Sequence, residues 1–205
     1  MQVTFGRRSR LITLGAGLLA AAAVAVSASG PALADTTDTG GSGALSVPVP
    51  VLVGLASANI IALPGDPITS SVGSTGLDAF TMPVTGGTGE VSNFTGTVDY
   101  GGTLVFVNGA NGKNVAITGL KLNFFTGALT GVLPGATKHT ALAYVGGDLS
   151  TSTSAGPPAT ETFSCDQLSL SAKAAGALNT ALGTKVFVKG ADIGAFTTTF
   201  DVTIT

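Results

Sequence analysis

The chain has 205 residues, with nine Lys and Arg, eleven Asp and Glu and one Cys, which is enough for one domain with an apolar core. All three arginines lie within the first ten residues, so the remainder has six Lys against eleven acidic residues. Such an acidic, Arg-free chain is disfavoured as a binder of nucleic acid or of anionic lipid. The single cysteine excludes an internal disulfide.

The first 34 residues have the features of an export signal. Arg7, Arg8 and Arg10 precede an apolar stretch, residues 11–28, and Ala32-Leu33-Ala34 is a small-x-small cleavage box. We therefore predict a signal peptide over residues 1–34, with a retained membrane anchor as the alternative. Residues 35–44, rich in Gly, Ser and Thr, are predicted to be a flexible tether. Residues 45–205 are predicted to be a single secreted β domain.

Residues 45–63 contain no charged side chain and begin with the β-branched sequence LSVPVPVLVGL. Pro48 and Pro50 cannot donate to a strand ladder, so the pattern predicts an edge strand. A second transmembrane helix is the competing interpretation, which the two prolines disfavour.

The clearest alternation lies in the middle of the chain, over residues 97–124. Val98, Tyr100 and Leu104 share one parity, and the Asn-Gly steps at residues 108–112 predict a tight turn. In the next strand, Val115 and Leu120 have opposite parities on either side of a glycine, Gly119. A bulge at that glycine keeps both on the buried face.

One helix is predicted near the C-terminus, between Ser171 as N-cap and Gly183 at its end. Leu178 and Leu182 are spaced i, i+4 and mark its buried face, with Asn179 on a wetter face. Residues 184–190 (TKVFVKG) are predicted to return to a strand. Together these elements predict an all-β fold, an antiparallel β-sandwich or flattened barrel with one short helix near the C-terminus.

The residues available for catalysis are few. His139 is the only histidine, no G-x-S-x-G sequence is present, and a Cys–His pair would have to join it to Cys165. One His and one Cys fall short of a zinc site. We predict that Cys165 is a buried small residue, that the chain is not an enzyme and that it holds no metal.

Three stretches of the chain, GTVDYGGTLVFV, VAITGLKLNFFTGALTGVL and LSLSAKAAGALNTALGTKVFVKGADIG, resemble the HtaA-type domain of secreted and cell-surface bacterial proteins. The resemblance covers residues 89–194. It implies that the late helix ends the domain. It also implies haem binding as an alternative function, because some members bind haem through a Tyr supported by a His.

The haem ligand of those members lies in an N-terminal Trp/Ser/Phe/Tyr segment. This chain has no Trp and no such segment before Gly89, so that ligand cannot be assigned here. Tyr100, His139 and Tyr144 are the remaining candidates. Tyr100 and Tyr144 are interpreted as packing residues, and the offset of five between His139 and Tyr144 places them on opposite sides of a regular strand. Only a bulge would bring both to one haem.

The sequence therefore predicts a secreted, non-catalytic β domain that acts as an extracellular or cell-surface binding or structural module without a cofactor. Its partner would be an extracellular ligand or a cell-wall component, with no nucleic acid and no membrane span after signal cleavage. An HtaA-like haem-binding protein is the first alternative, and an unrecognised hydrolase is the second.

Overall fold

Ten strands and two helices form the part of the chain that the structure, a computed structural model, describes, residues 36–72 and 78–204. The predicted signal peptide lies outside these residues. In chain order the elements are β1 Thr36–Val47, α1 Val49–Ser57, β2 Ile60–Gly65, β3 Thr69–Val72, β4 Asp78–Gly87, β5 Thr97–Asn108, β6 Asn114–Asn123, β7 Ala128–Val132, β8 His139–Ser154, β9 Ala159–Leu170, α2 Ala172–Leu182 and β10 Ala195–Ile204.

Eight of the strands close into an antiparallel barrel. The ring runs β1-β4-β5-β6-β7-β8-β9-β10 and returns to β1, and every pairing in it is antiparallel. Strand β2 pairs with β5, and β3 pairs with β4, beyond the residues through which β4 and β5 pair with each other. The predicted all-β antiparallel class is confirmed, and its form is a closed barrel.

The prediction of a flexible tether over residues 35–44 is wrong from Thr36 onward, because this segment belongs to β1. The strand pairs with β10 along one edge, from Thr36 to Ser46, and with β4 along the other, from Ser42 to Val47. Its alternate side chains point inward, and Asp38, Leu45 and Val47 are all buried. A bulge between Thr39 and Gly41 keeps the inward face continuous.

The edge strand predicted from LSVPVPVLVGL, residues 45–55, ends at Val47 and α1 follows it, so residues 36–72 and 78–204 contain two helices rather than one. Pro48 has extended φ and ψ angles at the N-cap and Pro50 stands in the first helical turn. Proline is tolerated there because the first N–H groups of a helix have no intrahelical acceptor. Neither helix in residues 36–72 and 78–204 has the length and apolar character that crossing a membrane requires.

The predicted alternation on β5 and β6 is confirmed, as is the bulge at Gly119. Val98, Tyr100, Val115 and Leu120 are buried in the barrel. The pairing of β6 with β7 slips by one residue between Thr118 and Lys121. Gly119 has a φ of +60°, which a residue without a Cβ adopts without strain.

Helix α2 begins and ends as the sequence predicts. The Ser171 hydroxyl accepts a hydrogen bond from Ala174 N–H (3.0 Å), and Gly183 is left-handed with a φ of +66°. Leu178 and Leu182 are buried. The Leu182 carbonyl also accepts hydrogen bonds from the Asn108 and Asn111 side-chain amides, at 3.0 and 2.9 Å. These bonds fix the end of α2 against the β5–β6 turn.

The predicted strand over residues 184–190 is wrong, since these residues form an irregular loop. The side-chain amide of Asn179 holds this loop through the main chain of Phe187. Its Nδ2 donates to the Phe187 carbonyl (2.7 Å), and its Oδ1 accepts from Phe187 N–H (3.1 Å). Phe187 also meets Phe106 edge to face, with ring centroids 5.8 Å apart. Asn179 is therefore a structural residue and not the neutral position that its wetter face suggests.

Substituting Leu178 by Ala should lower the free energy of unfolding by about 2–5 kcal/mol. Because the side chain is buried against the end of the barrel, its truncation loses buried apolar contacts and leaves a void. Lys173→Ala, on the exposed face of the same helix, is the control and should change stability little. Chemical denaturation of both variants measures the difference. Equal midpoints for the two would mean that α2 does not close the barrel.

Candidate functional site

An apolar cavity of about 250 Å³ lies at one end of the barrel. We call this end, covered by α1, α2 and the loop 184–194, the helix end. Twenty of the twenty-one lining residues are apolar or glycine, and Asp192 is the exception. They are Leu45, Val47, Val51, Leu52, Gly54, Leu55, Ala62, Phe80, Leu104, Phe106, Ile117, Leu142, Leu170, Ala174, Leu178, Val186, Phe187, Val188, Ala191, Asp192 and Ile193.

The floor and the cover of the cavity come from different kinds of element. Inward positions of the barrel strands, such as Leu45 and Leu104, form the floor, and α1, α2 and the loop 184–194 form the cover. α1 contributes Val51, Leu52 and Leu55, which are only partly buried. The cover therefore fills the end of the barrel incompletely. Such a cavity can take up an apolar molecule, since a dry apolar void binds a ligand of matching size.

Asp192 is the one polar side chain at the cavity, and it is exposed at the mouth. Its Oδ1 accepts a hydrogen bond from Gly194 N–H (2.9 Å), which holds the loop as it enters β10. The adjoining loop residues also bond to the end of β9, where Ile193 N–H donates to the Leu168 carbonyl (2.8 Å). The mouth is thus backed by hydrogen-bonded main chain.

The opposite end, which we call the loop end, is covered by residues 88–96. Two buried carboxylates hold this segment by its main chain. Asp38 Oδ2 accepts from Gly89 N–H (2.7 Å), and Glu161 Oε2 accepts from Val91 N–H (2.6 Å). Asp38 is only 1% exposed and its Oδ1 has no hydrogen-bond partner. Burial, together with the charge of Glu161, raises the pKa of Asp38 to about 6.

Tyr100 lies in the middle of the barrel, between the two ends. Its ring meets Phe196 edge to face, with centroids 5.7 Å apart, and both rings occupy the space where Gly43 would carry a Cβ. The phenol is buried and has no hydrogen-bond partner that meets normal geometry. Burial raises the pKa of Tyr100 well above its ordinary value, which disfavours the phenolate that a haem iron binds.

His139 and Tyr144 both lie on the outside of the barrel. The pairing of β7 with β8 shifts by one residue at Leu142, so Leu142 and Ala143 both point into the barrel. Tyr144 therefore points to the outside, as His139 does. Tyr144 is 47% exposed and is not the packing residue that the sequence suggests. At roughly 3.3 Å per residue the two side chains are separated by about four strand positions, or ~13 Å. Neither lines the apolar cavity.

Cys165 is buried inside the barrel, as predicted, and burial raises the pKa of its thiol. Because His139 is outside, the two do not form a Cys–His pair. Within residues 36–72 and 78–204, no three His, Cys, Asp or Glu side chains lie together as a metal site.

Sequence reasoning missed the two features that distinguish the ends of the barrel. The charge-free run at residues 45–63 was a signal for the cavity, because α1 and β2 supply part of its wall. Asp38 and Glu161 gave little signal of their own. An acidic residue at an inward position of an alternating strand becomes visible only when the register is known.

The comparisons with known proteins agree with this architecture. The C-terminal domain of HtaA from Corynebacterium glutamicum superposes with a TM-score of 0.60, over 82% of this chain and 99% of that chain, at 13% identity. The chain has an HtaA-like fold. The resemblance predicted from the sequence is therefore confirmed for the HtaA-like fold alone. No family model matches the chain, and no curated protein matches it.

The raised pKa of Asp38 predicts a pH-dependent stability. Between its ordinary value near 3.8 and about 6, the unfolded chain loses this proton while the folded chain keeps it. The free energy of unfolding therefore falls as the pH rises through this window, by ~3 kcal/mol at most for a shift of this size. Asp38→Asn removes the titration and should remove this fall.

Denaturant unfolding at pH 4, 5, 6 and 7 (about unit steps across the window) measures the effect. Asp148→Asn, at an exposed carboxylate, is the matched control and should keep the slope of the parent chain. Parallel pH profiles for Asp38→Asn and the parent chain would contradict the assignment.

Proposed function

We propose that the chain is an exported, non-catalytic binding module that holds a small apolar molecule in the cavity at the helix end. The observation that carries the proposal is the composition of the cavity wall, in which Asp192 alone is polar. Export is supported by the signal-like residues 1–34, and an extracellular or cell-surface place of action follows from export.

The size of the cavity sets the class of ligand. A cavity of ~150 Å³ with a similar apolar lining stays dry and binds benzene, and this one is about 250 Å³. A two-ring aromatic molecule or a short acyl chain is therefore a ligand of the appropriate size. Because the polar side chain Asp192 stands at the mouth, a ligand would keep its polar group near solvent there.

The cavity does not fit a haem iron. Its lining has no Tyr, His, Cys or Met side chain, and these are the residues that ligate haem in proteins. Tyr100 lies in the barrel interior, and His139 and Tyr144 lie outside. We therefore propose no cofactor, and haem remains the alternative only through Tyr144 on the outer surface.

The hydrolase alternative has little chemical support. His139 is outside the barrel and Cys165 is inside, and the thiolate of Cys165 is disfavoured by burial. Neither residue lines the cavity, so an apolar molecule held there meets no nucleophile or base from this pair.

The proposal predicts that the apolar fluorophore N-phenyl-1-naphthylamine binds the protein with one saturable site. Ala62→Phe should weaken this binding at least about tenfold, because Ala62 lines the cavity and the added ring, one of the larger apolar side chains, occupies it. Ala56→Phe is the matched control, since Ala56 is on the exposed side of α1 and does not line the cavity. Fluorescence titration gives the affinities, and thermal denaturation verifies that both variants fold.

Equal affinity for the probe in a folded Ala62→Phe variant would contradict the proposal. Parallel titration with hemin tests the alternative. A Soret band that grows with the protein and that Tyr144→Phe abolishes would favour haem binding over the apolar cavity.

A further inference from the structure

The outer surface of the helix end is apolar as well as its cavity. Helix α1 has one polar residue, Ser57, and none of its nine residues is buried. Val53 is 58% exposed, and Val49 is also exposed. A helix that is apolar on every face is normally buried in a protein or in a membrane. Exposed apolar patches of this kind mark surfaces that meet a partner or a lipid.

The loop after α2 continues this surface. Val188, 60% exposed, lines the cavity together with Val51 and Leu52 of α1, so the loop and the helix border the same opening. Exposed lysines, Lys185 and Lys189, stand three residues before and one residue after Val188. We call Val49, Val53, Val188, Lys185 and Lys189 the rim. It combines apolar side chains with flanking positive charge.

The lysines of the described chain are concentrated at this end. Lys173 is in α2, the Lys113 ammonium lies beside Gly183 at the end of α2, and Lys138 borders a hollow together with Lys173. With Lys185 and Lys189, five of the six lysines surround α2. Lys121 is the exception, because it pairs with Asp99 on the barrel wall at 2.7 Å.

Three acidic residues lie at the opposite end of the barrel. Asp38, Glu90 and Glu161 are at the loop end, in or against residues 88–96. At the helix end, Asp192 borders the cavity and Asp78 pairs with Val47 just before α1. The net negative charge, which argues against binding to anionic lipid when it is averaged over the chain, is therefore distributed unevenly. Locally, the rim has the sign that anionic headgroups attract.

We infer that the rim docks on the surface of an anionic lipid bilayer. Val53 and Val188 enter the boundary between headgroups and acyl chains, and Lys185 and Lys189 contact the phosphates. Apolar insertion plus electrostatic attraction is the combination that holds a protein at such an interface. α1 satisfies its own main-chain hydrogen bonds as a helix, which entry into an apolar medium requires. The docking does not depend on the cavity holding a ligand.

A tryptophan scan tests the inference directly, because the chain has no Trp and a single introduced one reports its own surroundings. Val53→Trp and Val188→Trp place the reporter on the rim. Phe125→Trp is the matched control at another exposed apolar position, 82% exposed in the β6–β7 turn. Vesicles of equal parts phosphatidylcholine and phosphatidylglycerol should shift the emission of the two rim reporters to the blue and leave that of Phe125→Trp unchanged.

The lysines are tested in the Val53→Trp background. Lys185→Gln combined with Lys189→Gln should raise the lipid concentration for half of the shift by about tenfold or more, as expected for two interfacial lysines. Lys121→Gln, which removes a lysine far from the rim, should leave that concentration unchanged. Added salt should weaken the parent response and affect the double variant less.

Three results would overturn the inference. The first is no blue shift at positions 53 and 188, and the second is an equal shift at all three reporter positions. The third is a shift that appears without vesicles and grows with protein concentration, which would make a second copy of the chain the partner of the rim. Because none of these measurements uses a cavity ligand, failure here is distinct from failure of N-phenyl-1-naphthylamine to bind.

Discussion

Strand β1 pairs along both of its edges, with β10 and with β4, and this double pairing closes the sheet into a ring. Closure leaves each of the eight ring strands paired on both sides, whereas β2 and β3 each pair with one strand. It also fixes which side chains face inward. Because β1 runs from Asp38 at one end of the barrel to Leu45 and Val47 at the other, one strand contributes to both the polar and the apolar ends.

The two ends of the barrel are closed by different kinds of interaction. A ring of eight strands leaves an interior just wide enough for side chains, and Tyr100, Phe196 and Phe200 fill it. Space for a ligand therefore arises at an end. At the loop end, buried carboxylates bind main-chain N–H groups, which is specific but carries the cost of desolvating charge. At the helix end, apolar side chains of α1, α2 and the loop 184–194 cover the opening and leave a cavity.

The strands and the late helix were predictable because each carried a local signal. Alternation at Val98 and Tyr100, the glycine at a parity switch and the caps Ser171 and Gly183 all specify structure within a few residues. Residues 36–47 carried no such local signal. A run of Thr, Ser and Gly suits a tether as well as a strand, and only its partners on both edges decide between them.

The other differences between the predicted and the observed elements also arise because local sequence does not decide between two structures. Pro50 suits either an edge strand or the first turn of a helix, so α1 could not be distinguished from a strand by composition. Residues 186–188 have a strand-like sequence, but β8 and β10 already occupy both edges of β9, and the Asn179 amide holds Phe187 instead. The cavity depends on how well α1 fills the end of the barrel. No single residue encodes that, so the candidate site followed from the structure.

Amide hydrogen exchange of the native protein tests the closed ring most directly. If β1 pairs on both edges, the amides of residues 42–46 should exchange as slowly as those of β9 and β10, through opening of the whole domain. The exposed amides of Ala155 and Gly156, in the loop between β8 and β9, provide the fast reference within the same sample. Exchange of residues 42–46 at the rate of that loop would mean that the segment is a tether after all, and it would contradict the closed barrel and the cavity that depends on it.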